Sequence, residues 1–312
     1  MAVAACCVPD KAETAPAAAP RILAVGAAAS APSNLVEISA SSFTMGNAFT
    51  DAVAADGEGP VRRVSLDAFS IAPTTVTNGE FGDFVRATRY VTDAERLGHS
   101  FVFYLQVPSE ARTQIRQVAK DLPWWLPIAD ASWQRPEGPG SHIYQRLNHP
   151  VVHVSWNDAQ AYCAWAGARL PTEAQWECAA RGGLEGRRFP WGDVLVSNGA
   201  PRCHVWRGVF PNAPATGWWP QPIAAADGEA NGYGLFNVCG NVWEWCADWF
   251  SPAYHGETPA QNPLGTAVTG RRSMLGGSFL CHDSYCNRYR VAARSSNTPD
   301  TSSSNLGFRL AR

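Results

Sequence analysis

The sequence predicts an α+β fold with little regular secondary structure, and three observations lead to that prediction. Two segments near the start alternate between apolar and polar residues as strands do, Leu35–Met45 and Arg62–Ile71. Three helices are indicated by residues that can cap an N-terminus, each followed by apolar positions at helical spacing. Between these segments lie long stretches rich in Gly, Pro, Asn and Trp that show neither the alternation of a strand nor the apolar spacing of a helix, above all at 191–240.

The three helix starts share the capping-box pattern, in which a hydroxyl residue is followed three positions later by a carboxylate or amide. The pairs are Thr77 with Glu80, Ser155 with Asp158, and Thr172 with Gln175. Gly182 and Gly183 end the third helix. Since so much of the chain lacks a period, we expect the 13 tryptophans to hold the loops by burying their rings and bonding backbone carbonyls through their N–H groups.

Length and composition favour a single domain over residues 35–312, behind a disordered Ala/Pro-rich tail at 1–34. The net charge is -2 and no basic stripe occurs, which argues against nucleic acid as a partner. No apolar run reaches the length of a membrane span. The odd count of nine cysteines and the absence of Asn-x-Ser/Thr acceptors favour a reducing cytoplasm.

The segment richest in chemistry is GGSFLCHDSYCNRYRVAAR at 276–294. Its two cysteines, Cys281 and Cys286, lack the CxxC spacing of zinc sites, so a local disulfide, two unrelated core thiols and half of a zinc site all remain open. Arg288 and Arg290 follow closely, and cationic neighbours favour the thiolate form. Two soft thiolates suit Cu(I), which accepts low coordination numbers.

This segment and several others resemble the formylglycine-generating enzymes, also called sulfatase-modifying factors. The matching blocks follow in the same order: FTMG at 43–46, TNGEFGDFV at 77–85, YVTDAER at 90–96, HPVVHVSWNDAQAYCAWAGARLPTEAQWECAARGG at 149–183 and NGYGLFNVCGNVWEWCADWF at 231–250. The resemblance runs from Leu35 to Arg309. The block at 149–183 is shared with a wider superfamily that includes binding modules and sulfoxide synthases, whereas the Cys281/Cys286 segment is specific to these enzymes.

The resemblance implies a variant of the C-type lectin fold and a copper-dependent oxidase. Its substrate is an unfolded sulfatase segment carrying Cys-x-Pro-x-Arg, whose cysteine becomes formylglycine with dioxygen and a thiol reductant. By the same resemblance Cys281 and Cys286 bind Cu(I), and the residues that line the site around them are Ser278, Tyr285 and Asn305. His282 and Arg288 lie near in sequence, where we expect them to bind substrate.

Members of this family also carry calcium sites. One is implied here by the side chains of Asn237 and Glu244 and the carbonyls of Gly240 and Val242, since calcium prefers oxygen ligands. A further site is doubtful, because His204 replaces the asparagine of the family and APATGWWPQP at 213–222 replaces its acidic loop. We expect that site to be lost, with Trp218 and Trp219 packed where the ion would sit.

Other cysteines and histidines are predicted to be structural. The resemblance places Cys163 at a position that forms a disulfide in secreted members, but its partner position is Leu310 here. Cys178 falls two residues short of another such position, which is Ala180, so we expect both to be reduced core thiols. The pair His149 and His153 mimics a helical metal motif, yet Pro150 makes the segment extended, and four residues along a strand span about 13 Å.

Two other functions compete with the oxidase. One is a lectin-like binding module without chemistry, which the altered loop at 204–222 would suit. The other is an iron-dependent sulfoxide synthase, which lacks support because no set of three histidines stands out. No spare apolar helix face is evident, so the sequence favours a monomer.

Overall fold

The structure, a computed structural model, describes residues 34–112, 115 and 122–312. The predicted tail at 1–34 lies outside these residues except for Asn34, and so do Cys6 and Cys7. The described part combines short helices and short strands with long irregular segments, which confirms the α+β prediction of low regular content. The assignment to a C-type lectin variant stays a prediction.

The strands of the described residues are β1 (Val36–Ile38), β2 (Ser41–Met45), β3 (Arg62–Leu66), β4 (Phe69–Ile71), β5 (His99–Phe103), β6 (Trp125–Ala129), β7 (Val196–Ser197), β8 (Ala200–Pro201), β9 (Gly208–Val209), β10 (Ala213–Pro214), β11 (Trp243–Trp249), β12 (Arg272–Leu275), β13 (Arg294–Asn297) and β14 (Leu306–Gly307). The α-helices are α1 (Asn78–Thr88), α2 (Asp93–Leu97), α3 (Ser109–Arg112), α4 (Trp156–Trp165), α5 (Glu173–Arg181) and α6 (Tyr254–Glu257).

All three predicted capping boxes form. At the start of each helix, the capping hydroxyl accepts the backbone N–H of the residue three positions later, and the side chain of that later residue accepts the backbone N–H of the capping residue. The capping residues are Thr77 for α1, Ser155 for α4 and Thr172 for α5. Helix α5 ends at Gly182, whose φ of 57° lies in the left-handed region. A fourth box at Thr92 begins α2, which the sequence analysis did not predict.

Four strands form one sheet in the order β13-β12-β11-β14, while the remaining strands form two-stranded ribbons. Strand β11 lies inside this sheet, antiparallel to β12 and parallel to β14. The register pairs Glu244 with Leu275 and Trp243 with Leu306. The chain leaves β12 at Leu275 and returns as β13 at Arg294, so the loop between them, which contains both Cys281 and Cys286, starts and ends on neighbouring strands.

The irregular segments are held by buried tryptophans and buried ion pairs rather than by a large sheet. Trp245 donates its indole N–H to the carbonyl of Val154 at 3.2 Å, and Trp156 donates to that of Cys246 at 2.8 Å, which confirms the expected bonding for these two rings. Other indoles, such as those of Trp206 and Trp243, are buried without a hydrogen bond from their N–H to any described residue, so the expectation holds only in part. Three fully buried arginines pair with buried glutamates: Arg290 with Glu58, Arg294 with Glu173, and Arg309 with Glu244. These pairs were not predicted from sequence.

Across the described ranges, no helix combines the length and the apolar character that crossing a bilayer requires.

Candidate active site

Two glycines position the loop that carries the cysteine pair. Gly276 and Gly277 follow β12 with φ values of +91° and +72°, a region that favours glycine. A Cβ on Gly277 would lie 2.6 Å from the carbonyl oxygen of Arg288 and 2.9 Å from the Cα of Tyr289. The absence of a side chain therefore lets the beginning of the loop pack directly against residues 288–289 and close it around the cysteines.

Both cysteines lie in this loop and are buried, with exposures of 2% for Cys281 and 7% for Cys286. The sulfur of Cys281 accepts a hydrogen bond from the backbone N–H of Ser278 at 3.3 Å. The backbone N–H of Cys281 donates in turn to the carbonyl of Ser278 at 2.9 Å. Cys286 donates its N–H to the carbonyl of His282 at 2.9 Å, which forms a tight turn. An N–H directed at a sulfur stabilises negative charge on it.

Ser278 and Asn305 are joined directly beside Cys281. The side-chain amide of Asn305 donates to the hydroxyl oxygen of Ser278 at 2.9 Å, and the N–H of Leu280 approaches the same oxygen at 3.3 Å. Asn305 is fixed in turn by Ser303, which donates to its Oδ1 at 2.8 Å. Because the Ser278 oxygen accepts twice, its proton is available for donation to a substrate or to water.

Tyr285 forms an aromatic wall with two residues that the sequence analysis did not single out. Its ring stacks on Phe210, with centroids 4.5 Å apart, and meets the edge of Trp124 at 5.0 Å. All three side chains are partly exposed, so this wall presents apolar surface next to the cysteine loop. No periodicity marks Trp124 or Phe210, because both stand in irregular segments and are brought here only by tertiary packing.

The arginines that follow the cysteines are paired with acidic residues from the segment before β3. Arg288 bonds Asp56 at 2.5 Å, and Arg290 holds Glu58 in a bidentate pair at 2.7 and 2.8 Å. The charges of Arg288 and Arg290 are therefore largely balanced by carboxylates, and their effect on the thiols stays a prediction. Their evident contribution is to anchor the loop. A direct contact of Arg288 with substrate stays a prediction.

His282 and Tyr289 complete the surroundings of the pair. His282 is half-buried, and its Nδ1 lies 2.8 Å from the hydroxyl of Ser284. Burial, with the nearby Asp283 and the thiols of Cys203, Cys281 and Cys286, raises the pKa of Tyr289, so this phenol is neutral at physiological pH. A substrate contact of His282 stays a prediction.

The donor set at the pair fits Cu(I). The two donors are soft sulfurs, buried, and supplied by one short loop. Structural zinc takes four ligands, and the described part of the chain contains no group of three or more His, Cys, Asp or Glu that could hold a metal ion. That finding removes support for the zinc alternative among these residues.

The residues predicted to bind calcium make bonds within the protein, and calcium binding by them stays a prediction. The carboxylate of Glu244 is fully buried and accepts two bonds from Arg309, at 2.5 and 2.6 Å, and one from the indole of Trp176 at 2.6 Å. The amide nitrogen of Asn237 donates to the carbonyls of Ala225 and Asp227. Gly240 and Val242 would contribute backbone carbonyls, which together with the Asn237 side-chain oxygen are ligands of the kind calcium takes.

At the doubtful calcium position, the His204 side chain is hydrogen-bonded to another part of the protein. Its Nε2 bonds the carbonyl of Gln221 at 2.7 Å, and its ring lies 5.9 Å from that of Trp218, which packs against Trp206 at 5.1 Å. Trp219 is 53% exposed, so the expectation that it packs here is wrong. The loss of the ion itself stays a prediction.

The remaining sequence expectations concern structural residues. The two ring nitrogens of His153 contact the hydroxyl of Ser100 and the carbonyl of Pro136, both at 2.8 Å, and His149 bonds the carbonyl of Pro222, in agreement with a structural role for both histidines. Cys163 and Cys178 are buried free thiols, as predicted.

Together these features define a thiol-based site: a buried cysteine pair, a bonded Ser–Asn couple and an aromatic wall, on a loop-rich α+β scaffold. Residues 24–312 match the sulfatase-modifying factor enzyme 1-like domain, and the chain belongs to that family. It is 52% identical over 312 residues to a formylglycine-generating enzyme of Streptomyces coelicolor, covering 100% of this chain and 96% of the relative.

Two further comparisons place the chain among its relatives. It is 43% identical over 282 residues to a protein of Bos taurus named inactive C-alpha-formylglycine-generating enzyme 2, covering 89% of this chain and 87% of the relative. The solved structure of PvdO from Pseudomonas aeruginosa superposes with a TM-score of 0.64 at 23% identity, covering 92% of this chain and 98% of that one. The latter shows a shared fold.

Proposed function

We propose that this chain oxidises the cysteine of a Cys-x-Pro-x-Arg segment in an unfolded sulfatase to formylglycine, using Cu(I), dioxygen and a thiol reductant. The observation that carries the proposal is the burial of Cys281 and Cys286 in one closed loop, beside the Ser278–Asn305 couple. The Streptomyces relative, half identical over its whole length, is named for formylglycine formation, which supports the same activity here.

Cys281 and Cys286 would hold the copper, which when bound supplies the one-electron and dioxygen chemistry that amino-acid side chains lack. The protein contributes position and a sheltered pocket. The backbone N–H of Ser278 stabilises charge on the Cys281 sulfur, and the Ser278 hydroxyl, oriented by Asn305, donates to a polar group of the reacting substrate. The partly exposed wall of Trp124, Phe210 and Tyr285 suits the apolar ring of the motif's proline.

The overall reaction balances only with a reductant. A cysteine side chain and one dioxygen, with two electrons and two protons, give the aldehyde, hydrogen sulfide and water. The substrate thiol and its Cβ–H supply two electrons, and an external thiol supplies the other two. Because both cysteines are buried, bulk water is excluded from the site, which limits side reactions of the oxidant.

The test is mass spectrometry of a synthetic peptide containing Cys-Thr-Pro-Ser-Arg, incubated in air with reduced protein, Cu(I) and excess thiol. Conversion of thiol to aldehyde is expected to lower the peptide mass by about 18 Da. Cys286→Ser should abolish conversion, whereas Cys178→Ser, which changes a buried thiol outside the loop, should retain it. Turnover by Cys286→Ser at the rate of the unaltered protein would overturn the mechanism.

A non-catalytic binding module is the second candidate, because a relative 43% identical to this chain is named inactive. Such a module has no use for a buried sulfur pair bonded to polar neighbours. Reduced protein that neither binds Cu(I) nor converts the peptide would favour it. The sulfoxide-synthase alternative gains no support from the described residues, which lack a three-ligand metal group.

We also propose that the protein works as a monomer in the reducing cytoplasm. In support, the described thiols of Cys163, Cys178, Cys203, Cys239 and Cys246 are free. Thiol titration of protein purified under non-reducing conditions and light scattering test these two proposals. Disulfides in the native protein, or a dimer at micromolar concentration, would contradict them.

A further inference from the structure

A second pair of cysteines lies outside the catalytic loop. Cys203 and Cys239 are both free thiols, and both line one cavity of about 200 Å³. Cys239 is buried and Cys203 is half-buried. Neither takes part in the site formed by Cys281 and Cys286, and neither lies in the loop at 276–294 that carries that site.

The backbone places these two cysteines side by side. His204 and Gly240 form a parallel bridge, and the N–H of Asn241 donates to the carbonyl of His204 at 2.8 Å. Cys203 and Cys239 each precede a bridged residue by one position, so they are neighbours in the same parallel register. Neighbouring strands lie roughly 4.8 Å apart, and paired residues direct their side chains to the same side. Their shared cavity agrees with this arrangement.

That spacing admits a bridging ion between the two thiols. A two-coordinate ion with metal–sulfur bonds of about 2.3 Å holds its sulfurs roughly 4.6 Å apart, a distance that side chains on neighbouring strands can reach. Both cysteines are free thiols and form no disulfide with each other. The two side chains can therefore bind an ion without movement of the backbone.

The charges around the pair select the kind of ion. Cys239 is buried and Cys203 half-buried, and the guanidinium of Arg207 lines the same cavity. A soft monovalent cation displaces both thiol protons, and the product carries one negative charge, which the nearby guanidinium of Arg207 stabilises. Divalent zinc would need further ligands, and the described residues contain no group of three or more His, Cys, Asp or Glu side chains that could hold a metal ion.

We propose that Cys203 and Cys239 form a second Cu(I)-binding site. One Cu(I) binds two thiols with release of two protons, and no oxidation or reduction takes place. The site adjoins the catalytic loop, because Trp206, three residues after Cys203, donates its backbone N–H to the carbonyl of Cys281 at 3.1 Å. Copper held there is positioned to load the catalytic pair, a role that rests on the proposed function, whereas the binding itself does not.

The test is an anaerobic titration of reduced protein with Cu(I) against a chromophoric Cu(I) chelator. The unaltered protein should bind two ions per chain, Cys203→Ala one, and the double variant Cys281→Ser/Cys286→Ser one. Cys178→Ala, which removes a buried thiol elsewhere, should still bind two. One ion in the unaltered protein and none in the double variant would overturn the proposal.

The variants also separate this inference from the proposed function. If the catalytic pair does not bind copper, the unaltered protein and the double variant each bind one ion and Cys203→Ala binds none, which supports the second site and contradicts the first. X-ray absorption of the copper-loaded double variant should show two sulfur neighbours. Nitrogen or oxygen neighbours alone would contradict the assignment. Circular dichroism of each variant confirms that it is folded.

Discussion

The side-chain amide of Asn305 donates to the hydroxyl of Ser278 at 2.9 Å, which joins two residues that are 27 positions apart in the chain. Asn305 stands just before β14 and Ser278 just after β12, and both strands flank β11 in the same sheet. The sheet therefore sets this bond, and the bond orients a hydroxyl next to the sulfur of Cys281.

Replacement of Asn305 by alanine should slow peptide conversion. The Ser278 hydroxyl loses its orienting donor, and loss of one such positioned group costs about 10²-fold in kcat in comparable sites. Steady-state conversion of the peptide measures the effect. Ser303→Ala removes only the bond to Asn305 Oδ1 and should cost less. Equal rates for Asn305→Ala and the unaltered protein would show that the couple is merely structural.

Substitution of Gly277 by alanine should distort the loop. An added Cβ would meet backbone atoms of Arg288 and Tyr289, which cannot move aside as a flexible side chain can. Gly217→Ala is a matched control, because its φ of +76° is similar and nothing lies within 4 Å of the added atom. We expect the control to cost about 1 kcal/mol of stability, from the backbone conformation alone. Gly277→Ala should cost more and lose most peptide conversion.

Replacement of Glu58 by glutamine should destabilise the fold strongly. It removes the carboxylate that holds the buried guanidinium of Arg290 by two bonds and leaves only the longer contact with the Asp51 carboxylate at 3.8 Å, and breaking such a pair costs about 3–5 kcal/mol. The exposed pair of Arg63 and Glu185, with side chains 59% and 46% accessible, provides the control. Glu185→Gln should change the free energy of unfolding by less than about 1 kcal/mol. Denaturant unfolding measures both, and similar values would contradict the anchoring role of Glu58.

The buried carboxyl of Asp158 should make stability depend on pH. Burial, and then the neighbouring Asp93, raise the pKa of Asp158 to about 7 from an unfolded value near 3.8. The folded state therefore binds this proton more tightly, so its contribution to stability is complete below pH 4 and is lost as the pH rises through about 7.

Unfolding of Asp158→Asn between pH 4 and 8 tests this prediction. The free energy of unfolding of the unaltered protein, relative to that of the variant, should fall as pH rises. Asp83→Asn, at an exposed position of α1, should leave the slope unchanged. Tyr90 and Ser155 bond the same carboxyl, and Arg96 pairs with Asp93, so these groups belong to the titrating environment. If the free energies of unfolding of the unaltered protein and of Asp158→Asn changed in parallel with pH, the raised pKa of Asp158 would be contradicted.

Local signals in the sequence were sufficient for several elements. The three capping boxes formed because each needs only residues three positions apart, and the alternating segments became β1 to β4. The candidate cysteines were found from their neighbours in one short segment. Strand β11 was not predicted, because NVWEWCADW is buried on both faces and shows no alternation.

What the sequence by itself determined is the family resemblance, the α+β class, the helix starts and the identity of the cysteine pair, since each is encoded by adjacent residues. Only the tertiary structure decided which further groups surround that pair. Trp124 and Phe210 come from two separate segments, and the carboxylates of Asp56 and Glu58 balance arginines more than 200 positions away. Contacts at such separations depend on the packing of the whole chain, which leaves no periodic or spacing signal in the sequence.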